Sequence, residues 1–191
     1  MRANIAFHLT AKILTLTVLV ACILTSTPAL ANPSKEVVKI KGEAIGLADA
    51  KKVYLQRYYN KMFFVIDSAV ITNGRFLFST VVPVPELYSV TADTTLITPL
   101  YVFIDDTREI NIKIDTARGG RNTIVTGSKA TDRYKTYLSN ARNMNIENFI
   151  REDPASIVSA FVLYRYFSPS LPADEISKYT AMLHKSLSGT Q

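Results

Sequence analysis

Between residues 37 and 126, apolar and polar residues alternate in short runs divided by turn-forming residues, the pattern of a chain folding back and forth as half-buried strands. The clearest run is 108–115, where Ile110, Ile112 and Ile114 alternate with Glu109, Asn111, Lys113 and Asp115, so one face is core and the other water. Runs at 37–42, 53–59, 62–70, 75–80, 86–92, 100–104 and 122–126 are read the same way. In 53–59, Val53 and Leu55 share one face while Tyr54, Gln56 and Tyr58 share the other. Asn73-Gly74 predicts a tight hairpin joining 62–70 to 75–80, because both central positions of its turn need positive φ. Pro83 and Pro85 lack the ladder N–H and read as a crossover between sheets. Asp105-Asp106 and Arg118-Gly119-Gly120-Arg121 read as turns.

After Gly127 the period lengthens to that of a helix. Tyr134, Tyr137, Leu138 and Ala141 fall on one face of a first helix, with Ser128 or Thr131 as its cap. Ile146, Phe149 and Ile150 mark a second, stopped by Asp153-Pro154. A third carries Ile157, Ala160, Phe161 and Tyr164 but is apolar on its other sides too, which predicts that it is the buried one. Pro172, Asp174 and Glu175 open a fourth that runs through Leu187, with Ile176, Tyr179, Leu183 and Leu187 inward. The expected fold class is α+β: an antiparallel β-sandwich of seven or eight strands, prealbumin-like in style, over residues 32–128. A C-terminal helical segment, 129–191, packs on one end or face of it.

The first 31 residues have a different character. Arg2 and Lys12 precede the apolar run 13–24, and Ala29-Leu30-Ala31 supplies a small-x-small cleavage signal before Asn32. An apolar core of this length is short of the roughly 20 residues of a spanning helix, so the stretch reads as a secretory signal peptide removed after Ala31. Leu19-Val20-Ala21-Cys22 offers the alternative of a lipobox, with lipid on Cys22 as an envelope anchor. Either reading sends the domain to the periplasm or cell envelope, with membrane contact only through the signal or a lipid.

Composition narrows the chemistry. With 22 basic and 16 acidic residues, loss of Arg2 and Lys12 leaves a net charge of +4, spread along the chain rather than gathered in a stripe. That is a solvated surface and argues against nucleic acid as partner. The one cysteine lies in the signal, so cleavage after Ala31 leaves no thiol for a disulfide or a thiolate metal site. His184, the only histidine past the signal, is expected at the end of the last helix, where the dipole suits it. Asp105 and Asp106 are expected to diverge in a turn, Asp67 to point inward and bond a loop, and Gly127-Ser128 to mark strand exit and helix cap. No catalytic group, cofactor site or metal site is expected. One surface is singled out: Tyr54 and Tyr58, if outward beside Arg57 and Lys61, make a partner or ligand patch, with packing under the helices as the competing reading.

Several ordered motifs carry a resemblance: Val38-Lys39-Ile40-Lys41-Gly42, Lys52-Val53-Tyr54-Leu55, Val65-Ile66-Asp67-Ser68-Ala69, Asn73-Gly74-Arg75-Phe76, Pro85-Glu86-Leu87-Tyr88 and Val125-Thr126-Gly127-Ser128. Together they resemble the family of domain of unknown function 4369. The resemblance implies an exported protein of Bacteroidetes-type bacteria, of a family usually placed before a thioredoxin-like domain and with no catalytic residues of its own. Here no C-x-x-C and no thioredoxin-like part follow. The expected role is a non-catalytic binding or accessory module acting on an envelope protein or small ligand. The alternative is an accessory to, or truncated relative of, a thioredoxin-like thiol-disulfide oxidoreductase.

Overall fold

The computed structural model describes residues 34–93, 100–116 and 123–190. Eight strands come first: β1 (Ser34–Ile45), β2 (Lys52–Tyr59), β3 (Met62–Val70), β4 (Arg75–Val84), β5 (Glu86–Thr91), β6 (Leu100–Ile104), β7 (Glu109–Asp115) and β8 (Ile124–Thr126). They form two four-stranded sheets, β4-β1-β7-β8 (sheet A) and β3-β2-β5-β6 (sheet B). Helices α1 (Lys129–Asn140), α2 (Ile146–Glu152), α3 (Ile157–Val162) and α4 (Ala173–Met182) follow, so the chain is an α+β sandwich with a C-terminal helical segment.

The layers follow from alternation. Inward residues of sheet A (Val38, Ile40, Phe78, Ile110, Ile112) meet Val53, Leu55, Tyr88, Val90 and Val102 of sheet B in one core. The opposite face of sheet B is apolar as well, with Tyr58, Leu87 and Phe103 packing on Tyr134, Phe149, Ile150, Val158 and Phe161 of the helices. The order is therefore sheet A, sheet B, helices, and sheet A alone turns a face to water. As the all-round apolar pattern predicts, α3 is the buried helix, with Val158 and Val162 wholly covered.

Three expectations are corrected, and one, the antiparallel sandwich, is refined. Asn73 and Gly74 do take positive φ (50° and 69°), and Thr72 and Arg75 exchange backbone hydrogen bonds of 2.8 and 3.0 Å. The turn nevertheless makes a corner rather than a hairpin: β3 goes on to pair with β2 and β4 with β1, in different sheets. Asp49 holds this corner, accepting 3.0 Å bonds from the N–H groups of Asn73 and Gly74. The true hairpin joins β2 to β3 through Asn60 and Lys61, both at positive φ. Second, the sandwich is not wholly antiparallel, since β1 runs parallel to β7 from Lys39↔Glu109 to Ile45↔Asp115. Third, Pro83 belongs to β4, paired with Lys35, and only Pro85 lies at the crossover. As an edge strand, β4 tolerates a residue without a ladder N–H. Fourth, α4 stops at Met182, and Lys185–Leu187 form a separate 3₁₀ turn.

Candidate functional site

The expected patch on β2 is only partly a surface. Tyr58 is 9% exposed and sits in the helix-facing core, its ring 5.2 Å from Phe63 and 6.2 Å from Phe161. Burial, then the neighbouring Tyr164, raises its phenol above the ordinary value. Tyr54 is half-buried. Arg57 turns to the other face, where its Nη2 lies 2.9 Å from Oε2 of Glu86, a fully buried carboxylate. Lys61 stands exposed in the left-handed turn of the hairpin. The four are thus divided between core, ion pair and turn, and do not form one patch. The same hairpin does expose apolar groups nearby: Tyr59, Met62, Phe64, Val65 and Ile66.

A second surface is formed by strand register on the outer face of sheet A. Across β4, β1, β7 and β8 the pairing sets Arg75, Glu43, Lys113 and Ile124 in one row and Leu77, Lys41, Asn111 and Thr126 in the next. With Val70 from the end of β3 these line an open groove of about 920 Å³. That lies within the range of ligand clefts, with a few polar groups set among apolar ones. Lys41 bonds Glu109 at 2.6 Å, and that hydrogen bond holds the Glu109 carboxyl below its usual range. Arg75 and Lys113 make no ion pair among the described residues and flank Glu43 on its two neighbouring strands. Alternation along β7 put Asn111 and Lys113 on the water side. That they share a surface with Arg75 and Leu77 depends on pairings over long sequence distances, which no local pattern carries.

The other chemistry-bearing residues are engaged locally. The Asp105 and Asp106 carboxyls influence each other within the turn: Asp105 is raised mainly by burial, and Asp106 is lowered chiefly by the neighbouring Asp105 side chain. The turn, in which Asp106 N–H donates to Asp105 at 2.8 Å, brings them together. Asp67 accepts from the N–H of its neighbour Ser68 at 2.7 Å rather than from a loop. His184, expected at a helix end, caps the 3₁₀ turn through Nδ1, which accepts from Ser186 N–H. Gly127-Ser128 behaves as expected: Ser128 caps α1, accepting from Thr131 N–H at 2.9 Å and donating to the Phe103 carbonyl at 2.6 Å. No group of three or more His, Cys, Asp or Glu side chains suited to a metal occurs among the described residues. Cys22, Ala29, Ala31 and Asn32 lie outside them.

A π-helical turn at Leu163–Phe167 leaves Tyr164 and Tyr166 exposed beside this aromatic core. The hydroxyls of Tyr134 and Tyr166 are 2.6 Å apart, and burial followed by that bond raises the Tyr134 phenol.

Two packed sheets with helices layered on one, and grooved on the open face of the other, define an α+β sandwich module. The chain belongs to the family described as Domain of unknown function (DUF4369), whose model matches residues 38–134. That match takes in the sandwich and the start of α1. A comparison with curated proteins returned no match.

Proposed function

We propose that this chain is an exported, non-catalytic module of the cell envelope that binds a partner protein or small ligand in the groove of sheet A. The observation that carries this is the groove itself: about 920 Å³ in volume, it combines Arg75 and Lys113, cations that make no ion pair among the described residues, with Leu77 and Val70. Recognition without chemistry is supported by how the reactive side chains are employed, His184 as a cap and Asp105 with Asp106 closing a turn. Export is supported by the signal-like stretch 1–31, with lipid on Cys22 as the other form of the same address.

A photo-crosslinking side chain at Leu77 tests the binding role in envelope extract, with the same group at Lys178 on α4 as reference. The groove position is expected to capture a discrete adduct that Arg75→Glu with Lys113→Glu abolishes. Equal labelling from both positions, with no thermal shift in extract fractions, defeats the proposal. Mass spectrometry of the mature N-terminus tests the export claim: a start at Asn32 or an acylated Cys22 supports it, and an intact Met1 end in the cytoplasm overturns it.

A further inference from the structure

We propose that two copies of this chain pair antiparallel through the free edge of β3, joining their B sheets across a two-fold axis at Phe64. The inference rests on how the four sheet edges are finished. At β6, Phe103 N–H donates to Thr131 Oγ1 (3.0 Å) and its carbonyl accepts from Ser128. At β8, only three residues long, Lys135 Nζ reaches the Val125 carbonyl at 2.7 Å. At β4 only the ends are tied, by the Tyr88 hydroxyl donating to the Pro83 carbonyl and by the Thr72–Arg75 bridge, and Ser79 and Thr80 interrupt the apolar run between them. Along Met62–Ile66, no described side chain bonds the backbone. A long apolar edge left open in this way is a template for another strand.

The sequence of β3 selects a second copy as that strand. Tyr59↔Met62 closes the two-residue turn and Arg57↔Phe64 lies two residues on. Antiparallel alternation therefore turns the polar groups of Met62 and Phe64 toward β2, and those of Phe63 and Val65 outward. In a two-fold pairing centred on Phe64, Phe63 meets Val65 of the other copy as a hydrogen-bonded pair on each side of the axis. Met62 meets Ile66, where the bulge ends the regular register. The register thus matches outward N–H and C=O groups and apolar side chains at once. Met62, Phe64, Val65 and Ile66, each more than 40% exposed, become covered. The β-bulge between Leu55 and Gln56 places Ile66 as the extra residue of β3, at the outer limit of this pairing.

Sedimentation of the purified full chain tests this, with Phe64→Lys placing two like charges on the axis. The wild type is expected to sediment as a dimer, and Phe64→Lys as a monomer with an unchanged melting curve. Phe64→Cys in a Cys22→Ser background is expected to give a reductant-sensitive dimer, since residues at a non-hydrogen-bonded pair lie within disulfide reach, whereas Leu77→Cys is not. A wild type that stays monomeric at millimolar concentration, or a dimer indifferent to Phe64→Lys, overturns the proposal. Neither result bears on the groove of sheet A.

Discussion

Arg57 and Glu86 meet across 29 residues of sequence, at a point where one of them has no water to fall back on. Glu86 also accepts from Leu87 N–H at 3.2 Å, so its charge is built into the opening of β5. Removing one member of a buried ion pair costs more than replacing both by apolar groups. Arg57→Met is expected to lower stability by about 3–5 kcal/mol, and Arg57→Met with Glu86→Leu to regain most of it, compared as urea midpoints. The sequence alone put Arg57 on a binding surface, because charge and alternation are local while its partner is distant. Gly42 is similar: the ring of Phe76, its cross-strand neighbour, lies where a Cβ would stand. Gly42→Ala is expected to cost about 1–3 kcal/mol by overpacking, and Phe76→Leu in the same chain to reduce that penalty in a double-mutant cycle.

Among the four α-helices, α4 is the most lightly held, since none of its residues is buried. Glu147 of α2 bridges to it, with Oε2 2.8 Å from Lys178 Nζ and Oε1 2.7 Å from Arg151. The hydrogen bond from Lys178 first, then that from Arg151, holds the Glu147 carboxyl down to about 2. A depressed carboxyl stabilises the fold above its ordinary value of 4.5, and that contribution disappears as pH falls through about 2. Lys178 is raised by the same partner, so its share is present below its ordinary 10.5 and fades as pH rises through the raised value. Melting temperatures of the wild type and Glu147→Gln are expected to differ at pH 6 and to converge by pH 2. What was legible at this scale was local: the alternation of β7, the Ser128 cap, the apolar girth of α3. The Asn73-Gly74 turn was readable as a turn but not as a corner, because turn chemistry fixes two φ angles and leaves the strands free to choose partners. Leu183 and Leu187 extended the helical pattern of α4 past its end, since a 3₁₀ turn can bury Leu187 as well as another helical turn would.

At the scale of the molecule, the sandwich is complete only with its third layer. Both faces of sheet B are apolar, so alternation along β2, β5 and β6 divides residues between two cores instead of between core and water. That is why Tyr58 was open to reading as a surface residue. A chain ending at residue 128 would expose Tyr58, Leu87 and Phe103, each worth about 1.5–3 kcal/mol of burial. Such a fragment is expected to bind a hydrophobic dye and aggregate where the full chain stays soluble, as light scattering would report. The parallel union of β1 and β7 also has a bearing on time. The strand synthesised first among the eight is the centre of sheet A, yet its neighbours lie about 40 and 70 residues further along. Until Asp115 has left the ribosome, β1 has no finished place, while the β2–β3 hairpin closes within its own twenty residues. The earliest-made strand of the sandwich is therefore among the last to gain both of its neighbours, although it is the first to be written into the chain.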